Sequence, residues 1–404
     1  MSIDSRKNIL VIGAGWEQYT LFEKIREAGH KIIATHPNIK ADAFKLSDIT
    51  YVKDSRDIKT HITIAKTHNI EAVITDNCDY SLHTASMVAS KMGLPFTSVQ
   101  SALFSNDKFS QREACKNYGV LQPDFYKVRT PQETLVAAAE IGYPVVIKPV
   151  DSRGTFGVTI VDSADKISDA YFDAISHSPS LTLICEKFIE GDLVTVDGFC
   201  FSNGHKSLTV ASRKFTEGKK PITQSVSYPS QHDDELKYRL LNNHQSVVAA
   251  LEYNFGHTHG EYFVTKKNEI YLVECANRGA GVYTSSTINP LITGIDLNKI
   301  FLNQTLGCDD FKIEHKKKNH MNRSIILSFL DFEVGKVVKR INVDEVKKLD
   351  FVQQFRTIYT EKQMVESVEN SASRHAMLVL DGSDINELSR NVDTFQSTLK
   401  VEYY

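Results

Sequence analysis

The chain is expected to fold as two kinds of architecture in succession: a doubly wound α/β unit, then α+β structure of mainly antiparallel character. Three observations predict this. Short apolar runs alternate with amphipathic stretches over residues 1–100. The texture changes after Asp107, where strands follow one another with few intervening helices. At 404 residues, the chain exceeds what one core usually serves.

The elements follow in order. Residues 8–12 form a buried-strand pattern ending at Gly13, residues 17–28 a helix, residues 31–35 a second strand, residues 71–75 a third, and a further helix runs to Met92 before Gly93. Strand, helix, strand at this rhythm means right-handed crossovers on a parallel sheet. Next come a helix over 108–118, strands over 143–149 and 158–161 around a glycine loop at 152–157, and strands over 181–186, 193–202, 261–266 and 270–274. The tail adds strands over 324–329 and 374–380 and a helix over 385–399. The basic run 312–318 reads as a solvated linker between these parts.

Composition excludes several classes. Hydrophobic residues make up 41%, charged residues 24%, and the formal net charge is −3. Nothing in that balance asks for nucleic acid or a membrane surface. No run approaches the roughly 18 apolar residues of a spanning helix, and no signal peptide is visible at the start. The six cysteines are scattered without a CxxC pair, the usage of a reducing compartment, so a cytoplasmic location is expected.

Gly13-Ala14-Gly15 after a strand suggests a dinucleotide turn. However, Gln18 stands where the third glycine belongs, and the second strand ends in Thr35-His36 without an acidic residue. Two readings stay open: a tight turn needing small residues, or amides that hold an anion at the helix start.

Four features further on make chemical sense together. Lys108 and Lys148 are cations on flexible stems, the second at a strand end. Beside Lys148 lies the 152–157 loop, where Gly154 and Gly157 admit close approach of amides to phosphates and Ser152 adds a hydroxyl. The segment 186–192 ends a strand and offers backbone groups to a base edge, with a carboxylate nearby for ribose. Glu261 and Glu274 flank a hairpin at 266–268, which sets two carboxylates side by side, a costly arrangement without a cation between them. Mg²⁺ carrying triphosphate oxygens is the natural occupant. Taken singly, each feature has an ordinary alternative as a surface lysine, hairpin turn or exposed charge. Their order and their place at strand ends favour a site. His259 reads as a neighbour of Glu261, and His257 as an exposed residue.

These residues resemble the ATP-grasp superfamily along nearly the whole chain. The resemblance rests on Asn106-Asp107-Lys108 with Arg112-Glu113, residues 144–149, residues 186–191, His259-Gly260-Glu261 and residues 274–281. Gly13, Gly15 and Gln18 resemble the N-terminal domain of carboxylate–amine ligases, among them amino-acid ligases and the phosphoribosyl-aminoimidazole carboxylase ATPase subunit. Arg374-His375-Ala376 resembles a segment of their C-terminal subdomain. The resemblance implies a Rossmann-like domain over 1–105, an ATP-grasp domain over 106–310 and a C-terminal α+β subdomain over 311–404. It implies ATP with Mg²⁺, or Mn²⁺ in its place, as cofactors and small carboxylate and amine substrates. Relatives are often dimers, so a homodimer is expected. Lys108 and Lys148 would contact phosphates under a mobile loop containing Ser152, Gly154 and Gly157. Glu186 and the Phe188 backbone would face adenine, Glu261 and Glu274 would hold the metal, and Arg278 would stabilise an acyl phosphate. Two positions depart from the family pattern. Ala276 stands where an asparagine ligand is usual, with Asn277 one residue on, and Leu193 stands at the ribose glutamate, with Asp192 as the stand-in. Two rivals share the same residues: a bicarbonate-activating carboxylase, and an ATP-binding regulatory protein without catalysis.

Overall fold

The computed structural model describes residues 6–152, 154–216, 222–308, 323–370 and 373–404, so the basic run 312–318 lies outside the described residues. The first unit is a four-stranded parallel sheet of β1 (Asn8–Ile12), β2 (Lys31–His36), β3 (Ile49–Val52) and β4 (Ala72–Ile74), in the order β3-β2-β1-β4. Ile9, Leu10, Val11 and Ile12 are all fully buried, because helices α1 (Tyr19–Glu27), α2 (Ile58–Thr67) and α3 (Asp79–Met92) cover both faces of the sheet. The strand order reverses between β1 and β4. The crevice beyond their carboxyl ends, at residues 13–18 and 75–79, is where such sheets present their functional loops.

Helices α4 (Val99–Asn106) and α5 (Lys108–Cys115) lead out of this unit. Asp107 caps α5 by accepting the Ser110 N–H at 2.7 Å, and the helix ends three residues sooner than the sequence suggested. A small antiparallel sheet follows, with β5 (Phe125–Val128), β6 (Val145–Pro149), β7 (Thr159–Val161) and β8 (Leu183–Lys187) in the order β5-β8-β6-β7. It packs against α6 (Pro131–Ile141) and α7 (Ile167–Ser176) through Val145, Ile147, Ala137, Ala138 and Ala174.

The next stretch supplies β9 (Asp192–Phe201), β10 (Gly204–Phe215), β11 (Thr223–Tyr228), α8 (Asp234–Ala250), β12 (Gly256–Val264), β13 (Ile270–Ala276), α9 (Asn289–Thr293) and α10 (Leu297–Thr305). Strands β3, β5, β10 and β11 and helices α2, α4, α6, α7, α8, α9 and α10 have no counterpart among the elements expected from the sequence. Leu236, Leu240, Val247 and Val248 of α8 close one face of this sheet against Val194, Val196, Tyr262 and Leu272. The opposite face, carrying the alternate residues of β9 and β12, is left for the site.

The tail contributes β14 (Ser324–Leu330), β15 (Val338–Ile341), α11 (Val343–Val346), β16 (Val352–Thr357), β17 (Ala376–Gly382), α12 (Ile385–Thr398) and β18 (Val401–Tyr403). Its main strands continue the sheet of the middle region, because β14 pairs with β11 from Ser225↔Ser328 to Tyr228↔Ile325. The result is one antiparallel sheet of eight strands, β13-β12-β9-β10-β11-β14-β17-β16, with β15 and β18 as a separate pair.

Candidate active site

Lys148 ends β6 and Glu186 sits near the end of its antiparallel neighbour β8. The Lys148 ammonium lies 2.6 Å from one Glu186 oxygen, and the Arg112 Nε of α5 lies 2.8 Å from the other. Arg112 also donates to the Val273 carbonyl at 2.7 Å, tying the small sheet to the large one. All three side chains are buried. Among the described residues, two cations therefore share one carboxylate, a buried excess of positive charge suited to a polyphosphate. Burial would raise the Glu186 carboxyl, but Arg112 and Lys148 outweigh it and hold the group at about 2. Burial lowers the Lys148 ammonium, with Glu186 opposing and Arg112 assisting.

A pH dependence follows. A carboxyl held below its ordinary value of 4.5 contributes stability above that value and loses it as pH falls toward about 2. The urea midpoint is expected to drop across that window. The drop should be shallower in Lys148→Met, where one of the two cations is gone. Parallel pH profiles for the two proteins would exclude Glu186 as the source.

Glu261 and Glu274 are direct cross-strand partners on β12 and β13. The turn between these strands passes through Asn268 at φ 57°, a left-handed position that asparagine tolerates. Lys108 lies 2.9 Å from Glu274 and donates to the Ser152 carbonyl at 2.8 Å. Arg213 of β10 lies 2.8 Å from Glu261. His259 Nδ1 is 2.8 Å from Asp197, and its Nε2 is 3.6 Å from Glu261. Burial would lower the His259 imidazole, but Asp197 and Glu261 lift it to about 9, so it is a cation at neutral pH. Burial would raise Glu261, yet Arg213 and His259 hold it well below the usual carboxylate range. For Lys108, burial is outweighed by Glu274, Asp79 and Glu261, and the net shift is upward.

The donor set of this pair fits Mg²⁺, which takes hard oxygens from one or two carboxylates and completes its shell with phosphates and water. Among the described residues, no group of three or more His, Cys, Asp or Glu side chains could hold a metal, so protein ligands alone do not close the site. Asn277 does not supply the missing ligand. Its amide nitrogen donates to the Phe255 and His257 carbonyls, and its oxygen accepts from Thr97.

Arg278 follows β13 and is gripped by the first sheet unit. Its Nε and one terminal nitrogen donate to Asp79 at 2.6 and 3.1 Å, and the other terminal nitrogen donates to Gly279 O at 3.1 Å. Three neighbours of Asp79 in this arrangement hold the segment beyond. Asp76 accepts the Gly279 N–H at 2.7 Å and the Ser285 hydroxyl at 3.0 Å, Asn77 donates to Ala280 O at 2.7 Å, and Glu17 accepts the Val282 N–H at 2.7 Å. A Cβ on Gly279 would fall 2.5 Å from Ser285 and 2.7 Å from Asp76, so only glycine fits. Val282 and Tyr283 then take φ of 51° and 64°, strained for a β-branched and an aromatic residue, and a π-helical turn Thr284–Ile288 follows. Backbone strain of this kind gathers at functional sites. Asp76, Asn77, Asp79, Glu17, Asp197 and Arg213 were not singled out from the sequence. Arg374 stacks 3.6 Å over Phe329, and burial together with nearby Arg213 lowers it to about 10.

Several expectations need correction. Asp192 shares strand parity with Val194 and Val196, whose side chains pack under α8, so it faces away from Glu261 and is not placed for a ribose. Leu193, on the other parity, is apolar and buried. The Phe188 N–H donates to the Pro144 carbonyl at 3.2 Å, leaving only its carbonyl for a base edge. His257 is not exposed: it lies in β12, buried between Phe199 and Phe301. Gly157 has φ 69°, and a Cβ there would meet Ala174, His177 and Pro149 at 3.0–3.2 Å, so packing alone demands glycine. Gly154 is also left-handed, at φ 63°. In the early glycine turn, the Gly15 N–H is taken by Gln18 Oε1 at 2.8 Å and Gln18 donates to Asp76 O at 3.0 Å, which favours the tight-turn reading.

Residues 141–286, which span β6 to β13 and the Arg278 segment, match the family described as ATP-grasp domain. The chain carries an ATP-grasp domain. The whole chain superposes on the crystal structure of an L-amino acid ligase from Bacillus licheniformis with a TM-score of 0.82, 16% identity and 100% of both chains covered. It superposes on phosphoribosylglycinamide synthetase from Anaerococcus prevotii with a TM-score of 0.79, 19% identity, and 98% and 100% covered. In sequence it is 22% identical over 375 residues to an L-arginine-specific L-amino acid ligase of Bacillus subtilis, covering 89% of this chain and 86% of that one. The fold of these solved structures thus extends over the whole chain, the first sheet unit and the tail included. No helix among the described residues is long and apolar enough to cross a membrane.

Proposed function

We propose that the protein is an ATP-dependent carboxylate–amine ligase that activates its acid as an acyl phosphate and releases ADP and phosphate. The observation that carries this reading is the in-register pair Glu261 and Glu274, set among Lys108, Arg213 and Arg278. The relatives named as ligases support it.

Glu261 and Glu274 would hold Mg²⁺, which when bound neutralises phosphate oxygens. Lys148 and Lys108 place cations for the triphosphate. Arg278 faces the charge that develops as the substrate carboxylate takes the γ-phosphoryl group. Catalysis is then positioning and charge stabilisation, and an amine displaces phosphate to form the amide. Amino acids are the first candidates for both substrates, by similarity to the amino-acid ligases. The proposed setting is the cytoplasm, with a homodimer as the working assembly.

The test is phosphate and ADP release across a panel of amino acids and small acids, with hydroxylamine as the trapping amine. A hydroxamate is expected with the right acid. Arg278→Ala should still bind ATP but trap about 10²–10³-fold more slowly. Bicarbonate as the sole effective acid would favour a carboxylase, and ATP binding without hydrolysis on any acid would favour a regulatory protein.

A further inference from the structure

Arg278 has five N–H donors, and three are committed among the described residues: two to Asp79 and one to the Gly279 carbonyl. Asp79 takes the guanidinium side-on, through Nε and one terminal nitrogen. Each terminal nitrogen keeps one N–H, and together they form a planar fork matched to two oxygens of a carboxylate or phosphoryl group. We propose that Asp79 is a positioning residue, holding Arg278 with this fork turned to the reacting anion, so that the first sheet unit orients a residue of the ATP-grasp domain.

Asp79 opens α3 at the carboxyl edge of β4, the switch point of the parallel sheet, and lies 199 residues from Arg278 in the chain. Asp76 and Asn77 on the same loop hold Gly279, Ala280 and Ser285, so the backbone that follows Arg278 is anchored to the same short stretch that carries Asp79. A long cation with rotatable bonds aims two donors only if its plane is fixed, and a bidentate carboxylate fixes it. Asp79 also belongs to the field that raises the Lys108 ammonium, so it sits among the cations of the site.

The proposal rests on the acyl-phosphate reading, and two readouts keep the two apart. The first is turnover. Asp79→Asn, close in shape, is expected to lose about 10–10²-fold in kcat, less than the ~10²–10³-fold lost with Arg278 itself. ATP affinity should hold. Asp79→Ala should regain activity when formate is added to refill the carboxylate position. In an Arg278→Ala background, Asp79→Asn should cost nothing further. The second readout is the affinity of inorganic phosphate for the MgADP complex, which should fall in Asp79→Asn and Arg278→Ala alike. Phosphate affinity that depends on Asp79 in a protein that turns over no acid would sink the ligase reading and leave the positioning role intact. Equal losses with and without Arg278, no formate rescue, or phosphate affinity untouched by Asp79→Asn would overturn the positioning role.

Discussion

Glu186→Ala is expected to destabilise the fold by about 3–5 kcal/mol, because it leaves Arg112 and Lys148 buried without their shared anion. Desolvating two cations is a large cost that, among the described residues, the Glu186 charge alone offsets, since the remaining Arg112 bond runs to a neutral carbonyl. Urea denaturation gives the loss directly. Glu190→Ala, only four residues away but 80% exposed, serves as the control and should leave the midpoint in place. The variant should also gain more thermal stability from ATP than the wild type does, because a triphosphate supplies the missing negative charge. A loss no greater than that of Glu190→Ala would show that the cluster is hydrated and not a buried ion system.

The parts of this site that could be read from the sequence are those that sit together in the chain or at the ends of regular elements. Lys148 closes a β-branched run, and Glu261 and Glu274 flank a short hairpin, so alternation and turn residues were enough to pair them. Strands β1, β2 and β4 of the parallel sheet were legible for the same reason: four apolar residues in a row in β1, ended by a glycine, fit a short strand covered on both faces, whereas β3 gave no such run. What stayed hidden depends on tertiary approach. Asp79 and Arg278 are joined by a fold that no local period records, and Arg213 lies on a strand that the sequence reading left unassigned. Asp192 was misjudged because proximity in sequence was taken for proximity in space, whereas strand parity turns it to the far face. His257 was misjudged because β12 begins at Gly256, five residues before the run that alternation suggested. The glycine at 157, read from the sequence as part of a phosphate loop, is required by packing against α7.

Glu274→Gln separates binding from chemistry. The amide keeps the shape of the side chain and removes the charge that now pairs with Lys108 at 2.9 Å. Lys108 is then released from its carboxylate and free to meet a phosphate, so ATP without metal should bind the variant at least as well as it binds the wild type. Chemistry should move the other way. With only Glu261 left charged, and that carboxylate already drawn to Arg213 and His259, a divalent cation has lost its better-placed ligand. Mn²⁺ titration followed by electron paramagnetic resonance should show weakened loading in the presence of ATP. Hydroxamate formation should fall by at least about 10²–10³-fold, the usual loss when one charge-stabilising group is removed. Glu261→Gln should be costlier to the fold, since it takes the carboxylate from Arg213 and one of two anions from buried His259, whereas Glu274→Gln takes an anion only from Lys108, which keeps the Ser152 carbonyl. Unchanged Mn²⁺ affinity together with unchanged trapping would remove Glu274 from the metal site. Release of AMP and pyrophosphate by the wild type, in step with amide formation, would mean that the acid is adenylated, and Arg278 would then face a different leaving group from the one its fork is drawn to fit.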